Sequence, residues 1–166
     1  MADFGGPDLE AFRAEAREWI AANFPPALKG RSAPDRRELT PDQDAWRRAM
    51  GEKGWGTPTW PTAYGGGGLS AAEARVIAEE LARAGAYNPI GGMGVIMFGP
   101  TLLEYGTEDQ KRRHIPPIVR GEVRWCQGFS EPGAGSDLAS LQTRAEDKGD
   151  HFLINGQKIW TSGAHP

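Results

Sequence analysis

Eight consecutive residues, Ser130-Glu131-Pro132-Gly133-Ala134-Gly135-Ser136-Asp137, form the densest group of ligand-binding residue types in the sequence. Glycine lets backbone N–H groups approach and surround an anion, and the flanking hydroxyls add donors, so a phosphate or the edge of a flavin is a suitable guest. Spacing alone says less. Leu138 stands where a dinucleotide fingerprint places its third glycine, and no lysine completes a P-loop. Taken by themselves, these eight residues read more simply as a tight loop between strands.

Other reactive types are sparse. Glu131 precedes Pro132 in a turn, and both it and Asp137 read as groups that order the loop rather than as acid–base catalysts. His114, His151 and His165 are scattered without metal-ligand spacing, so surface or capping roles are expected of them and no metal site. Cys126 is the lone cysteine, which removes internal disulfides and Cys-rich zinc sites and fits a reducing compartment. Within an extended stretch it is expected to be a small buried hydrophobe.

A chain of 166 residues suits one domain, or one and a part. The 23 glycines and 13 prolines are many, but 39% hydrophobic content with six Trp and six Phe supplies a core and excludes wholesale disorder. Nineteen basic against 22 acidic side chains leave a net charge of -3, so nothing draws the whole chain towards nucleic acid or anionic lipid. The pairs Arg36-Arg37, Arg47-Arg48 and Arg112-Arg113 read as solvated helix faces. Residues 1–10 are acidic and contain Gly and Pro, unlike a secretory signal. The longest mostly apolar stretch, residues 90–103, is interrupted by glycines and Pro100 and falls short of the roughly 20 residues that span a bilayer. A cytoplasmic protein without a membrane span is expected.

The loop needs elements to hold it. Leu9, Phe12, Ala16, Trp19, Ile20 and Phe24 recur at helical steps until Pro25-Pro26 forbids continuation. Thr40-Pro41-Asp42 reads as the cap and first turn of a second helix through Trp46 and Met50 to about Lys53. Ser70 and Glu73 have capping-box spacing ahead of a stripe of Ala74, Ile77, Ala78 and Leu81 that ends near Gly85. Residues 91–105 are apolar around most of a helical circumference, which suggests burial on several sides or the lining of a cavity. Thr107 then caps a short helix from Glu108.

After Gly121 the pattern changes. Residues 123–129 can be extended, 141–145 and 151–154 are strand-like, and Asn155-Gly156 predicts a hairpin joining 151–154 to 157–161. The fold class is therefore α+β, helical over residues 1–121 and β over 122–166. Three or four strands with nothing after them are marginal as an independent sheet. The expectation is a sequence cut inside its second domain.

Residues 125–137 (WCQGFSEPGAGSD) and 154–163 (INGQKIWTSG) closely resemble, in order and separation, the two flavin-contacting signatures of the acyl-CoA dehydrogenase family. Residues 60–70 (WPTAYGGGGLS) and 105–122 (YGTEDQKRRHIPPIVRGE) resemble that family's N-terminal helical domain. The resemblance implies an N-terminal helical domain over 1–121, the start of an antiparallel, barrel-like middle β domain over 122–166, and absence of the C-terminal four-helix domain. It implies FAD as cofactor. Phe129 through its backbone and Ser130 through its hydroxyl would bond the flavin ring. Gly135 and Ser136 would stand at the pyrophosphate, Ser136 also reaching the thioester substrate. Trp160 would shield the isoalloxazine, and Ser162 would donate near its reactive nitrogen. Ser130 and Ser162 stand where the family often has Thr, which keeps the hydroxyl.

The implied reaction removes an α proton from an acyl-CoA thioester while the β hydride passes to flavin N5, leaving a trans-2-enoyl-CoA. The family's catalytic glutamate comes from its C-terminal domain, so no catalytic residue is expected here and the 166 residues alone are expected to be inactive. Further implications are a homo-oligomer, a homotetramer, that passes electrons to an electron-transfer flavoprotein. Alternatives are a non-catalytic flavin-binding or assembly subunit of a heteromeric dehydrogenase, and a fragment of an acyl-CoA oxidase. Residues 91–103 fit either an acyl-chain pocket wall or plain core, and the Gly65-to-Gly68 run fits either a mobile loop at the pocket mouth or a connector.

Overall fold

The computed structural model describes residues 7–33 and 38–164; the Arg36-Arg37 pair, His165 and residues 1–6 lie outside the described residues. The chain forms two compact units, Met1–Val123 and Arg124–Pro166. Among its described residues the first carries five α-helices: α1 (Pro7–Asn23), α2 (Pro41–Glu52), α3 (Ala71–Ala84), α4 (Gly99–Tyr105) and α5 (Glu108–Val119). Reciprocal capping boxes start α2 (Thr40 with Gln43), α3 (Ser70 with Glu73) and α5 (Thr107 with Gln110), so side chains satisfy the first orphan N–H groups. Gly85, at φ 69, closes α3 in the left-handed conformation that glycine adopts without penalty.

Ala16 and Ile20 of α1 and Phe24 just beyond it, Trp46 and Met50 of α2, and Val76, Ile77 and Leu81 of α3 share one core. Each such large side chain contributes about 1.5–3 kcal/mol when removed from water. Trp46 is fully enclosed because its Nε1 donates to the Tyr87 carbonyl at 2.8 Å, leaving no orphan polar atom. Its ring meets Phe24 at 5.0 Å, and Trp19 meets Trp55 at 4.9 Å.

The stripe on α3 is rotated from the sequence reading. Ala78 is exposed, whereas Val76 and the carboxylate of Glu80 are buried. Glu80 is admitted by α1, from which Arg13 Nη1 donates at 3.1 Å and Arg17 Nε at 3.0 Å. The bond from Arg17 above all holds this carboxyl below its ordinary range despite the burial that opposes it.

The described residues of the second unit hold one antiparallel pair, β1 (Arg144–Asp147) and β2 (Phe152–Asn155), in the register Arg144 to Asn155 and Asp147 to Phe152. Its turn is Lys148 to His151, closed by Lys148 N–H to the His151 carbonyl at 2.9 Å and by Gly149 N–H to Asp147 Oδ1 at 2.8 Å. The expected hairpin at Asn155-Gly156 is thus corrected. A two-residue type I′ turn needs positive φ at both central residues, and neither Asn155 nor Gly156 has it. Gly156 is needed for close approach instead, since a Cβ there would strike the Thr143 side chain. Residues 157–162 run back along 127–131, where a partner already waits. Cys126 is exposed, not buried: residues 123–129 form no strand, and Gln127 beside it pairs with Ser162 in an isolated bridge.

The Gly65-to-Gly68 run is a connector. Gly66, Gly67 and Gly68 donate to Pro61, Thr57 and Trp60 carbonyls at 2.8 to 3.2 Å. Pro116 and Pro117 lie inside α5, and the carbonyls they leave without donors belong to Arg112 and Arg113, which are exposed to water.

Residues 91–105 are not buried all round. A π-helical turn, Gly94–Phe98, leads into α4, with Leu102 buried and Ile96, Met97 and Tyr105 exposed. Gly99 marks the tight point: a Cβ there would lie 2.8 Å from both Trp60 Cζ2 and the Gly94 carbonyl. Gly99→Ala sets a helix-propensity gain of up to about 1 kcal/mol against overpacking of about 1–3 kcal/mol. The clash wins because the ring of Trp60 is itself buried. The substitution is expected to lower the urea midpoint with an unchanged slope; a raised midpoint would show that Trp60 can yield.

Candidate functional site

The two segments singled out in the sequence lie side by side within the second unit. Gln127 N–H donates to the Ser162 carbonyl at 3.0 Å, and Ile159 N–H donates to the Ser130 carbonyl at 2.9 Å. Between them Lys158 Nζ reaches the Phe129 carbonyl at 2.9 Å and Glu131 Oε1 at 2.9 Å. Gly128 permits this approach, since a Cβ there would be 3.3 Å from Lys158 Cγ.

Glu131 is the anchor of the loop. It is 6% exposed, and its carboxylate accepts from Gln142 N–H at 2.7 Å, from Thr143 N–H at 3.0 Å and from Lys158. The neighbouring Thr143 hydroxyl, the Gln142 N–H and the Lys158 ammonium hold the Glu131 carboxyl down to about 2. Paired Glu131 N–H to Ala134 carbonyl and Ala134 N–H to Glu131 carbonyl bonds, at 2.8 and 3.0 Å, close the turn over Pro132-Gly133. Asp137 accepts from the Ser140 hydroxyl.

Beyond that turn the loop is open. No protein atom lies within 4 Å of a Cβ built at Gly133 or Gly135, and among the described residues no protein acceptor meets the Gly135 or Ser136 N–H. Such a row of free N–H groups on exposed backbone suits a phosphate-bearing ligand. Phe129 and Trp160 are 58% and 85% exposed, and Trp160 has φ 53, a rare conformation for a bulky side chain. Ser130 is half-buried, whereas Ser136 and Ser162 are exposed. The donors and the uncovered aromatic faces fit a flavin nucleotide. A cavity of about 500 Å3 is lined by Glu131 and Gly133 of the turn with Gln142, Thr143 and Asn155, whereas Phe129, Ser130, Gly135, Ser136, Trp160 and Ser162 do not line it.

His114 packs against Phe98 at 5.8 Å, and His151 Nδ1 lies 2.6 Å from Asp150. Among the described residues no three His, Cys, Asp or Glu side chains are grouped to hold a metal ion. No helix among them is long and apolar enough to cross a membrane. The sequence reading missed Lys158. The signal was present, because Glu131 and Lys158 are opposite charges, one in each signature.

The depressed Glu131 carboxyl makes a pH prediction. Its ordinary value is 4.5 and its folded value about 2, so its contribution is complete above about pH 4.5 and fades as pH falls towards 2. Glu131→Gln is expected to be less stable than wild type at pH 7, with the gap in thermal midpoint closing between pH 4.5 and 2. A gap independent of pH would remove the carboxylate from this role.

Residues 6–122 match the family model described as "Acyl-CoA dehydrogenase, N-terminal domain", and residues 126–166 match "Acyl-CoA dehydrogenase, middle domain". Acyl-CoA dehydrogenase IpdE1 of Mycobacterium tuberculosis is 46% identical over 162 residues, which are 95% of this chain and 42% of that protein. A structure titled "Tcur3481-Tcur3483 steroid ACAD" is 37% identical with a TM-score of 0.62, covering 98% of this chain and 42% of its own. An acyl-CoA dehydrogenase complexed with FAD from Bacillus anthracis is 25% identical with a TM-score of 0.54, covering 97% of this chain and 27% of its own. The chain thus spans about two fifths of the length of IpdE1 and of the steroid ACAD. With the two domain models matched over residues 6–122 and 126–166 and the two signatures adjoining in space, the chain belongs to the acyl-CoA dehydrogenase family.

Proposed function

We propose that this chain is part of an FAD-dependent oxidoreductase that converts an acyl-CoA thioester into the trans-2-enoyl-CoA. The observation that carries this reading is the joining of the two signatures through the Gln127–Ser162 and Ser130–Ile159 backbone bonds. FAD, when bound, supplies the acceptor for the β hydride at its N5. The chain's own residues bind and orient it. Phe129 and Ser130 meet the ring edge through backbone and hydroxyl, the Gly135 and Ser136 N–H groups meet the pyrophosphate, and Ser136 also meets the thioester. Trp160 covers the ring against water and Ser162 donates near N5. Such oriented donors stabilise the negative charge that a flavin gains on reduction.

Neither buried carboxylate suits the α proton. A base for that step needs a raised pKa in a dry site, whereas Glu80 and Glu131 are held low by cations and N–H donors. The base comes from outside the described residues, and residues 1–166 alone neither hold FAD tightly nor turn over. The exposed Ile96 and Met97 of the first unit are offered as wall for the acyl group. The family likeness supports a cytoplasmic homo-oligomer, a homotetramer, that passes electrons to an electron-transfer flavoprotein.

The solved structure whose title joins two protein names favours a second reading, a flavin-binding or assembly subunit of a heteromeric dehydrogenase. Its title also supports a steroid-bearing acyl-CoA as the substrate class to try first.

The test is direct. The product of the intact gene is expected to bind FAD, and anaerobic addition of an acyl-CoA is expected to bleach the flavin absorbance. Ser130→Ala and Trp160→Ala should each weaken FAD binding about tenfold, the effect of one lost hydrogen bond or stacking contact. If both variants bind as wild type does, the site is elsewhere. If residues 1–166 alone prove a yellow, active dehydrogenase, the assignment of the base is wrong.

A further inference from the structure

Ser130 is gripped on both of the carbonyls that flank its Cα. Its own carbonyl accepts from Ile159 N–H at 2.9 Å, and the preceding Phe129 carbonyl accepts from Lys158 Nζ at 2.9 Å. A trans peptide is planar, with C=O and N–H pointing in opposite directions. Fixing the Phe129 carbonyl towards Lys158 therefore aims the Ser130 N–H the other way. Among the described residues no protein acceptor meets that N–H or the Ser130 hydroxyl.

The ammonium is itself held in place. Lys158 also reaches Glu131 Oε1, and the Gln142 and Thr143 N–H groups fix that carboxylate. The Lys158 side chain is 28% exposed, unusually covered for a lysine. The ammonium is thus tied to Phe129 and to a carboxylate that is itself fixed from residues 142–143, and it sets one peptide plane.

We propose that Lys158 is a positioning residue, which orients the Phe129–Ser130 peptide so that the Ser130 N–H and hydroxyl are presented to the flavin. The inference rests on the flavin reading above. It adds that the ring donor is aimed by a side chain that touches neither cofactor nor substrate.

The test uses the product of the intact gene and its Lys158→Met and Lys158→Arg variants. Lys158→Met keeps the aliphatic stem and removes every donor. It is expected to raise the FAD dissociation constant about tenfold, as for one charge-assisted hydrogen bond lost. The bound flavin should also become harder to reduce. A donor that favours the reduced ring tenfold, once lost, lowers a two-electron potential by about 30 mV. Lys158→Arg, which can reach both acceptors, should restore most of both. Should Lys158→Met not fold, Lys158→Gln carries the same measurements with a smaller expected shift. A Lys158 variant that melts earlier yet holds flavin with wild-type affinity and potential overturns the positioning role. Wild type that takes up no FAD overturns the flavin reading itself.

Discussion

The second unit depends on the meeting of the Glu131 carboxylate with the Lys158 ammonium. Elsewhere a hydrophobic core fixes the chain, but Ala134 is the one buried apolar residue described beyond Val123. Phe152, Leu153 and Ile154 of β2 are exposed, as are Leu138 and Leu141. Within residues 124–164 the bonds that tie one segment to another are polar. A buried ion pair is a poor source of net stability, because desolvation offsets most of the Coulomb gain. It is an effective source of uniqueness, since a displaced partner leaves an unpaired charge. Glu131 satisfies both oxygens with backbone N–H groups and the ammonium, so one arrangement is strongly preferred.

The first unit solves a similar problem inside a conventional core. Glu80 sits on the buried face of α3, and Arg13 and Arg17 of α1 reach it. Its placement fixes the rotation of α3 against α1, whereas Ile77, Val76 and Leu81 alone would tolerate some rotation. In both units a carboxylate marks where separate segments must meet in one register. Neither is poised to take a proton near neutrality, and for that reason both belong to architecture.

Local signals were read directly from the sequence, and pairings between distant segments were not. Thr40, Ser70 and Thr107 cap their helices as expected, because a cap depends on residues three positions away. Asn155-Gly156 has the same kind of local signal for a turn, yet the segment after it bonds to residues 127–131, a choice that no window around Gly156 contains. Glu80 shows the same limit from the opposite side: periodicity places apolar residues on a face, and only two arginines some 65 positions away make a carboxylate acceptable there. In the candidate site, the signatures pointed to Phe129, Ser130 and Trp160 through family likeness. Lys158 offered only its charge opposite to Glu131, and its bond to the Phe129 carbonyl belongs to the fold.

Trp160 draws these features together. Left-handed backbone costs a bulky residue about 1–2 kcal/mol, and at 85% exposure the indole recovers nothing from burial within this chain. Such a conformation persists only where neighbours over-determine it. Here they do: the Ile159 N–H is fixed to Ser130 on one side, and the Ser162 carbonyl is fixed to Gln127 on the other. The three peptide units between those ties must carry the chain across, and Trp160 absorbs the reversal. Its ring is then held outward before any ligand arrives, so a planar guest need not order it first. The strain and the exposure have one cause, the same pair of backbone bonds that sets the two signatures edge to edge.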